Sequence, residues 1–147
     1  MVTWSSRGFV TFVLLSVGLL WVIPAPVGAQ TSAEQEVASG GKPAFEQYCA
    51  TCHGRDGKGG GGASNLLTVK PTDLTMISKN NNGTFPFWRI YGVVDGREEE
   101  IKGHGTRDMP IWGAEFRAQA ASSITAQSQV RGRILELVYY LQSIQAK

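Results

Sequence analysis

The sequence predicts a small all-α domain of three to five helices, because helical periodicity is clear in two places and strand-like alternation is scarce. The stronger pattern lies near the C-terminus, where apolar residues recur on one face of a 3.6-residue repeat. Its members are Val130, Ile134, Leu137, Val138, Leu141 and Ile144. A shorter apolar stripe from Lys42 to Cys52 comprises Ala44, Phe45, Tyr48 and Cys49 and predicts a short helix, with Pro43 in its first turn.

A third helix is predicted in the middle of the chain, within the apolar and aromatic run from Phe85 to Val94. Phe85, Trp88 and Tyr91 recur at helical spacing, so we expect them to face the core. Gly96 follows this run and is expected to end the helix.

The segments around these helices are predicted to be irregular. Gln30–Gly41 is polar and rich in small residues, which predicts a flexible N-terminal lead before a domain at 42–147. Residues 54–62 contain six glycines and predict a flexible loop. Ile101–Gly113 is also rich in glycine, and Pro110 restricts the backbone directly after Met109. This second loop is therefore expected to present the Met109 side chain.

Residues 1–29 have the pattern of a secretory signal peptide. Arg7 provides the positive charge, and Phe9–Ile23 is an uncharged apolar run of fifteen residues. Val27-Gly28-Ala29 supplies the small residues of a cleavage site. Because a membrane-spanning helix needs about 20 apolar residues, cleavage is favoured over an uncleaved N-terminal anchor. The predicted location is the periplasm, without stable membrane insertion unless the leader is retained.

The charge of the chain is nearly balanced. The chain contains fourteen Lys and Arg residues and twelve Asp and Glu residues, which gives a formal net charge of +2. No basic stretch is present, so the composition argues against nucleic acid or anionic lipid as a partner.

The chemically informative motif is Cys49-Ala50-Thr51-Cys52-His53, because C-x-x-C-H is the attachment signature of c-type haem. Two thiols on one helical turn can each add across a vinyl group at the same edge of a porphyrin. The imidazole that follows is then placed to bind the iron as proximal ligand. The motif predicts that Cys49 and Cys52 bind one haem covalently and that His53 is an iron ligand.

Two other uses of the cysteine pair are disfavoured. Cys49 and Cys52 are the only cysteines, and His53 and His104 the only histidines, so a Cys2His2 zinc site would need His53 directly beside Cys52. A thioredoxin-like redox pair requires a βαβ context, and no strand-like run precedes Cys49.

Three residues are candidates for the distal iron ligand. Met109 is followed by Pro110 in a rigid loop, and its thioether would give the His/Met ligation used in cytochromes c. His104 lies in the same loop and would give bis-histidine ligation. Met76 has apolar neighbours, and a methionine there is more often core filling.

With these residues in view, the chain resembles the class I mono-haem cytochromes c over about residues 42–145. The pieces follow the order of that family: the Cys49–His53 motif with Gly54, then Pro71-Thr72-Asp73-Leu74, then Met109-Pro110-Ile111-Trp112-Gly113, then a C-terminal helix. The resemblance implies thioether bonds from Cys49 and Cys52 and axial ligation by His53 and Met109. It also implies terminal helices that cross, and Gly132 is the expected small residue at the crossing.

The resulting functional hypothesis is one-electron transfer by a haem carrier rather than catalysis by an enzyme. Redox-partner proteins would dock transiently at the haem edge, near the charged residues Lys102, Arg107 and Glu98–Glu100. One alternative is a haem subunit of a larger dehydrogenase or respiratory oxidase complex. Another, if Met109 did not bind iron, is a five-coordinate peroxidase or gas sensor.

Overall fold

A computed structural model of the chain describes residues 31–97, 109–120 and 124–147. These residues form α1 (Ser32–Tyr48), α2 (Ala50–His53), α3 (Phe87–Asp95), α4 (Trp112–Gln119) and α5 (Ala126–Ser143). Short 3-10 segments at Ser64–Leu66, Leu74–Met76 and Lys79–Asn81 lie between α2 and α3. No residue of the described ranges belongs to a β-strand, so the all-α prediction is confirmed for this part of the chain.

Several sequence predictions lie outside the described residues. They are the leader at residues 1–29, the alternative ligand His104, and the charged residues Lys102, Arg107 and Glu98–Glu100. Within the ranges that are described, no helix has the length and hydropathy needed to cross a membrane.

The N-terminal lead was predicted to be flexible, and this prediction is wrong for residues 32–41, which belong to α1. The helix begins with a capping box: Glu34 N donates to Thr31 Oγ1 over 3.3 Å, and Thr31 N donates to Glu34 Oε2 over 2.7 Å. Ala38 and Gly41 are buried, so the first half of α1 also contributes buried residues to the fold. Pro43, expected in a first turn, therefore lies in the helix interior.

The two terminal helices pack against each other at a close contact between Gly41 and the backbone of α5. A Cβ atom at Gly41 would overlap Glu136 O and would lie 2.9 Å from Leu137 N. The expected position of the small residue was Gly132, and that prediction is wrong, because a Cβ there would meet nothing within 4 Å. The predicted apolar face of α5 is confirmed: Val130, Ile134, Leu137, Val138 and Leu141 are buried with Phe45 and Phe116.

Helix α3 is present where it was predicted, and Gly96 ends it with a φ of 85°. On its buried face, one residue is not the expected one. Phe87, not Trp88, packs on α5, with ring centroids 4.8 Å apart between Phe87 and Tyr139. Trp88 is 73% exposed, so the prediction that it faces the core is wrong. Tyr91 is half-buried against the core, as expected.

The second half of the molecule is more helical than the sequence predicted. Trp112 and Gly113 were assigned to the loop that begins at Ile101, but they form the first turn of α4. Phe116 on α4 is buried against α5. This contact fixes α4, which follows Met109 closely in the sequence, against the core.

Candidate functional site

The Cys49–His53 motif forms a single helical turn at the junction of α1 and α2. Cys49 is both the last capping residue of α1 and the first of α2, and His53 N donates to Cys49 O over 2.9 Å. Residues three apart on a helix lie on the same face, which brings the two thiols together. Both cysteines are half-buried, and His53 is only 7% exposed.

The His53 ring is oriented by a main-chain oxygen. Its Nδ1 lies 3.1 Å from Thr72 O, and because a carbonyl can only accept, Nδ1 carries the proton. The Nε2 atom then carries the lone pair that can bind a metal ion. Metal-binding histidines usually donate their other N–H in this way, because the bond fixes both the tautomer and the ring orientation.

The loop at residues 54–63 caps the end of α2. The N–H groups of Gly59, Gly61 and Ala63 donate to the carbonyls of His53, Cys52 and Thr51, over 2.7, 3.0 and 2.9 Å. These carbonyls have no partner within so short a helix. The loop was expected to be flexible, and the hydrogen bonds instead hold it in one conformation against the motif.

The same loop connects the motif with the segment that carries Thr72. Leu74 N donates to Gly57 O over 2.7 Å. Gly59 has a φ of 83°, and a Cβ there would overlap Pro71 O. Asp73 caps the next 3-10 segment by accepting from Thr75 N over 2.9 Å. The position of the Thr72 carbonyl is therefore determined by contacts on both of its sides.

The Cys49 thiol is not prepared for redox chemistry of its own. Burial, reinforced by the neighbouring Cys52, raises the pKa of Cys49 to about 12. At neutral pH Cys49 is thus a protonated thiol, whereas catalytic cysteines of dithiol oxidoreductases have lowered pKa values. In the described part of the chain, no three His, Cys, Asp or Glu side chains are grouped so that they could hold a metal ion.

Met109 lies at the start of the described segment 109–120 and is half-buried. Three residues later, the Trp112 ring lies 5.5 Å from the ring of Tyr48, which precedes Cys49. Tyr48 also contacts Phe116 at 5.3 Å and donates to Gln119 Oε1 over 3.0 Å. Helix α4 therefore packs next to the motif. Ligation by Met109 stays a prediction, and Met76 is half-buried in its 3-10 segment.

Several large apolar side chains of the described residues lie outside the packed core. Leu66 is 85% exposed, Trp88 73% and Ile111 40%. Single exposed apolar side chains are common on protein surfaces and do not by themselves indicate a ligand. The two thiols and the oriented imidazole on one helical turn are the groups that fit the attachment of a porphyrin.

Sequence reasoning missed two parts of this region. The Thr72 carbonyl is a main-chain acceptor, and no residue type identifies such a group in advance. The buried carboxylate of Asp95 was also missed, although an acidic residue at the end of an apolar helix was a usable signal.

Comparison of the chain with protein-family models, with curated proteins and with solved structures finds no match.

Proposed function

We propose that this chain is a c-type haem protein of the class I mono-haem kind that transfers single electrons. The observation that supports this most strongly is the hydrogen bond between His53 Nδ1 and Thr72 O. His53 lies on the same helical turn as the two thiols. Metal-binding histidines usually donate the N–H of their other ring nitrogen in this way, because the bond fixes the tautomer and the ring orientation.

Each residue of the motif has a separate role in this proposal. The Cys49 and Cys52 thiols would hold the haem covalently, each by adding S–H across one vinyl group, so that sulfur would bond to one vinyl carbon and hydrogen to the other. His53, through Nε2, and Met109, through its thioether, would bind the iron. When bound, haem supplies a one-electron Fe(III)/Fe(II) couple.

The surrounding residues suit a carrier better than an enzyme. His53 is buried, and in this proposal His53 and Met109 would both be ligands of the iron. The neutral thioether would favour the lower charge of the reduced state and so raise the reduction potential. With both residues bound, the iron would have no open position for O2 or peroxide.

The proposed setting is the periplasm, after removal of residues 1–29, with partners docking transiently at the exposed haem edge. A haem subunit of a larger dehydrogenase or oxidase complex would have the same site. Co-purification of a larger subunit from the native host would identify that case, whereas recovery as a free protein favours the carrier.

The test is the intact mass of the full chain after expression in a host that attaches c-type haem. We expect a mature chain carrying one covalent haem, and a redox titration that fits a single one-electron step. The double variant Cys49→Ser/Cys52→Ser should lose the mass of the covalent haem. Thr51→Ala, which changes an exposed side chain on the same turn, should retain it.

A wild-type mass without haem, with both thiols open to alkylation, would contradict the proposal.

A further inference from the structure

Asp95 is a buried charge that the proposed chemistry does not use. Among the described residues, it is the only acidic or basic side chain, apart from His53, that is buried, at 4% exposed. A buried carboxylate is costly unless it is paired. Its Oδ2 is paired with Arg97 Nε, and its Oδ1 lies 3.6 Å from Arg117 Nη1. Within the described residues Oδ2 accepts no hydrogen bond of normal geometry, so its pairing is mainly electrostatic.

The Asp95 carboxylate lies between the end of α3 and the first turn of α4. A Cβ at Gly113 would overlap Asp95 Oδ1 and would lie 2.5 Å from the Asp95 main-chain oxygen. Gly96, the residue after Asp95, makes a second close contact, since a Cβ at Gly96 would lie 3.1 Å from Ile111 Cβ. The end of α3 therefore touches Ile111 and Gly113, which follow Met109 by two and four residues.

Charge strengthens this contact. A carboxylate close to the first turn of a helix interacts favourably with the helix dipole, and α4 begins at Trp112. Arg117 belongs to α4, so its ion pair with Asp95 links α4 to the end of α3, whereas Arg97 follows Asp95 by two residues and pairs with it locally.

We propose that Asp95 is a positioning residue for Met109. It fixes Ile111–Gly113 against the end of α3, and Pro110, with its restricted backbone, transmits that position to Met109. The inference rests on the proposed function, because it concerns how firmly Met109 is held as an iron ligand.

The test uses the haem-loaded protein and the Asp95→Asn variant, which keeps the shape of the side chain and removes its charge. We expect the far-red absorption band of the methionine–iron bond to be lost at a lower temperature than in the wild type. We also expect the spectrum of the reduced variant to change with carbon monoxide while that of the wild type does not, because Met109 leaves the iron more often in the variant. Arg117→Gln should change both readouts in the same direction and serves if Asp95→Asn does not fold.

Two controls separate positioning from general stability. Glu115→Gln removes an exposed carboxylate from the same helix and should behave as the wild type. Leu141→Ala leaves a cavity on the core-facing side of α5 and should lower the unfolding temperature, while the protein below that temperature still shows no response to carbon monoxide.

A wild type with the methionine–iron band, together with Asp95→Asn and Arg117→Gln variants indistinguishable from it, would overturn this inference alone. A wild type without that band would overturn ligation by Met109 in the proposed function, and the role of Asp95 with it.

Discussion

At the scale of single residues, the orientation of His53 depends on where the main chain passes rather than on which side chain accompanies it. The His53 ring donates to the carbonyl of Thr72. Gly59 packs against Pro71, the residue before Thr72. A change at residue 72 that leaves the backbone in place should therefore matter less than a change at residue 59. Thr72→Ala should keep the Nδ1 hydrogen bond, because the side chain of Thr72 is exposed.

Gly59→Ala should destabilise the protein by about 2 kcal/mol or more. Alanine disfavours a positive φ by about 1–2 kcal/mol, and its methyl group would also displace Pro71. Gly60→Ala is the matched control, since a Cβ there meets nothing within 4 Å, and its effect should stay within about 0.5 kcal/mol. Denaturant unfolding of the two variants measures the difference, and equal midpoints would refute the contact between this loop and Pro71.

The sequence identified the reactive side chains of the site but not the groups that orient them. Cys49, Cys52 and His53 follow from the spacing of three residue types along one helical turn. The Thr72 carbonyl and the pairing of Asp95 with Arg117 depend on contacts between distant segments, which no local pattern encodes. Trp88 illustrates the same limit, because its helical spacing was correct and its face was not.

At the scale of elements, α1 and α5 approach closely at Gly41, and this contact predicts opposite effects for two glycine substitutions. Gly41→Ala should destabilise the protein by about 1–3 kcal/mol, because the new methyl group would overlap Glu136 O. Gly132→Ala should stabilise it by about 0.5–1 kcal/mol, because alanine is the better helix former and has open space there. Thermal unfolding measures both variants, and a neutral Gly41→Ala would argue against the close contact.

The elements also differ in how well their sequences predicted them. Helix α5 was predictable because one apolar face continues over its whole length. The beginning of α1 was missed because Gly40 and Gly41 suggested a flexible segment, although Thr31 and Glu34 have the spacing of a capping box. The two glycines are explained by packing: Gly41 lies against the α5 backbone, and a Cβ at Gly40 would lie 3.3 Å from the Glu136 side chain.

At the scale of the whole molecule, one helical turn with two thiols and an oriented imidazole lies beside a core formed mainly by α1 and α5. Helix α4, which begins three residues after Met109, packs next to that turn through Tyr48 and Trp112. The all-α fold therefore places the predicted proximal residues on one element. The predicted distal ligand, Met109, precedes α4, and α4 packs against Tyr48, the residue before the motif.

The most direct measurement is the absorption spectrum of the purified protein, first oxidised, then reduced with dithionite, and finally exposed to carbon monoxide. Our account predicts a low-spin spectrum with the far-red methionine–iron band and no response to carbon monoxide, and it predicts that Met109→Ala abolishes the band. A high-spin spectrum, or one that changes with carbon monoxide in the wild type, would contradict His53/Met109 ligation and favour a five-coordinate haem protein.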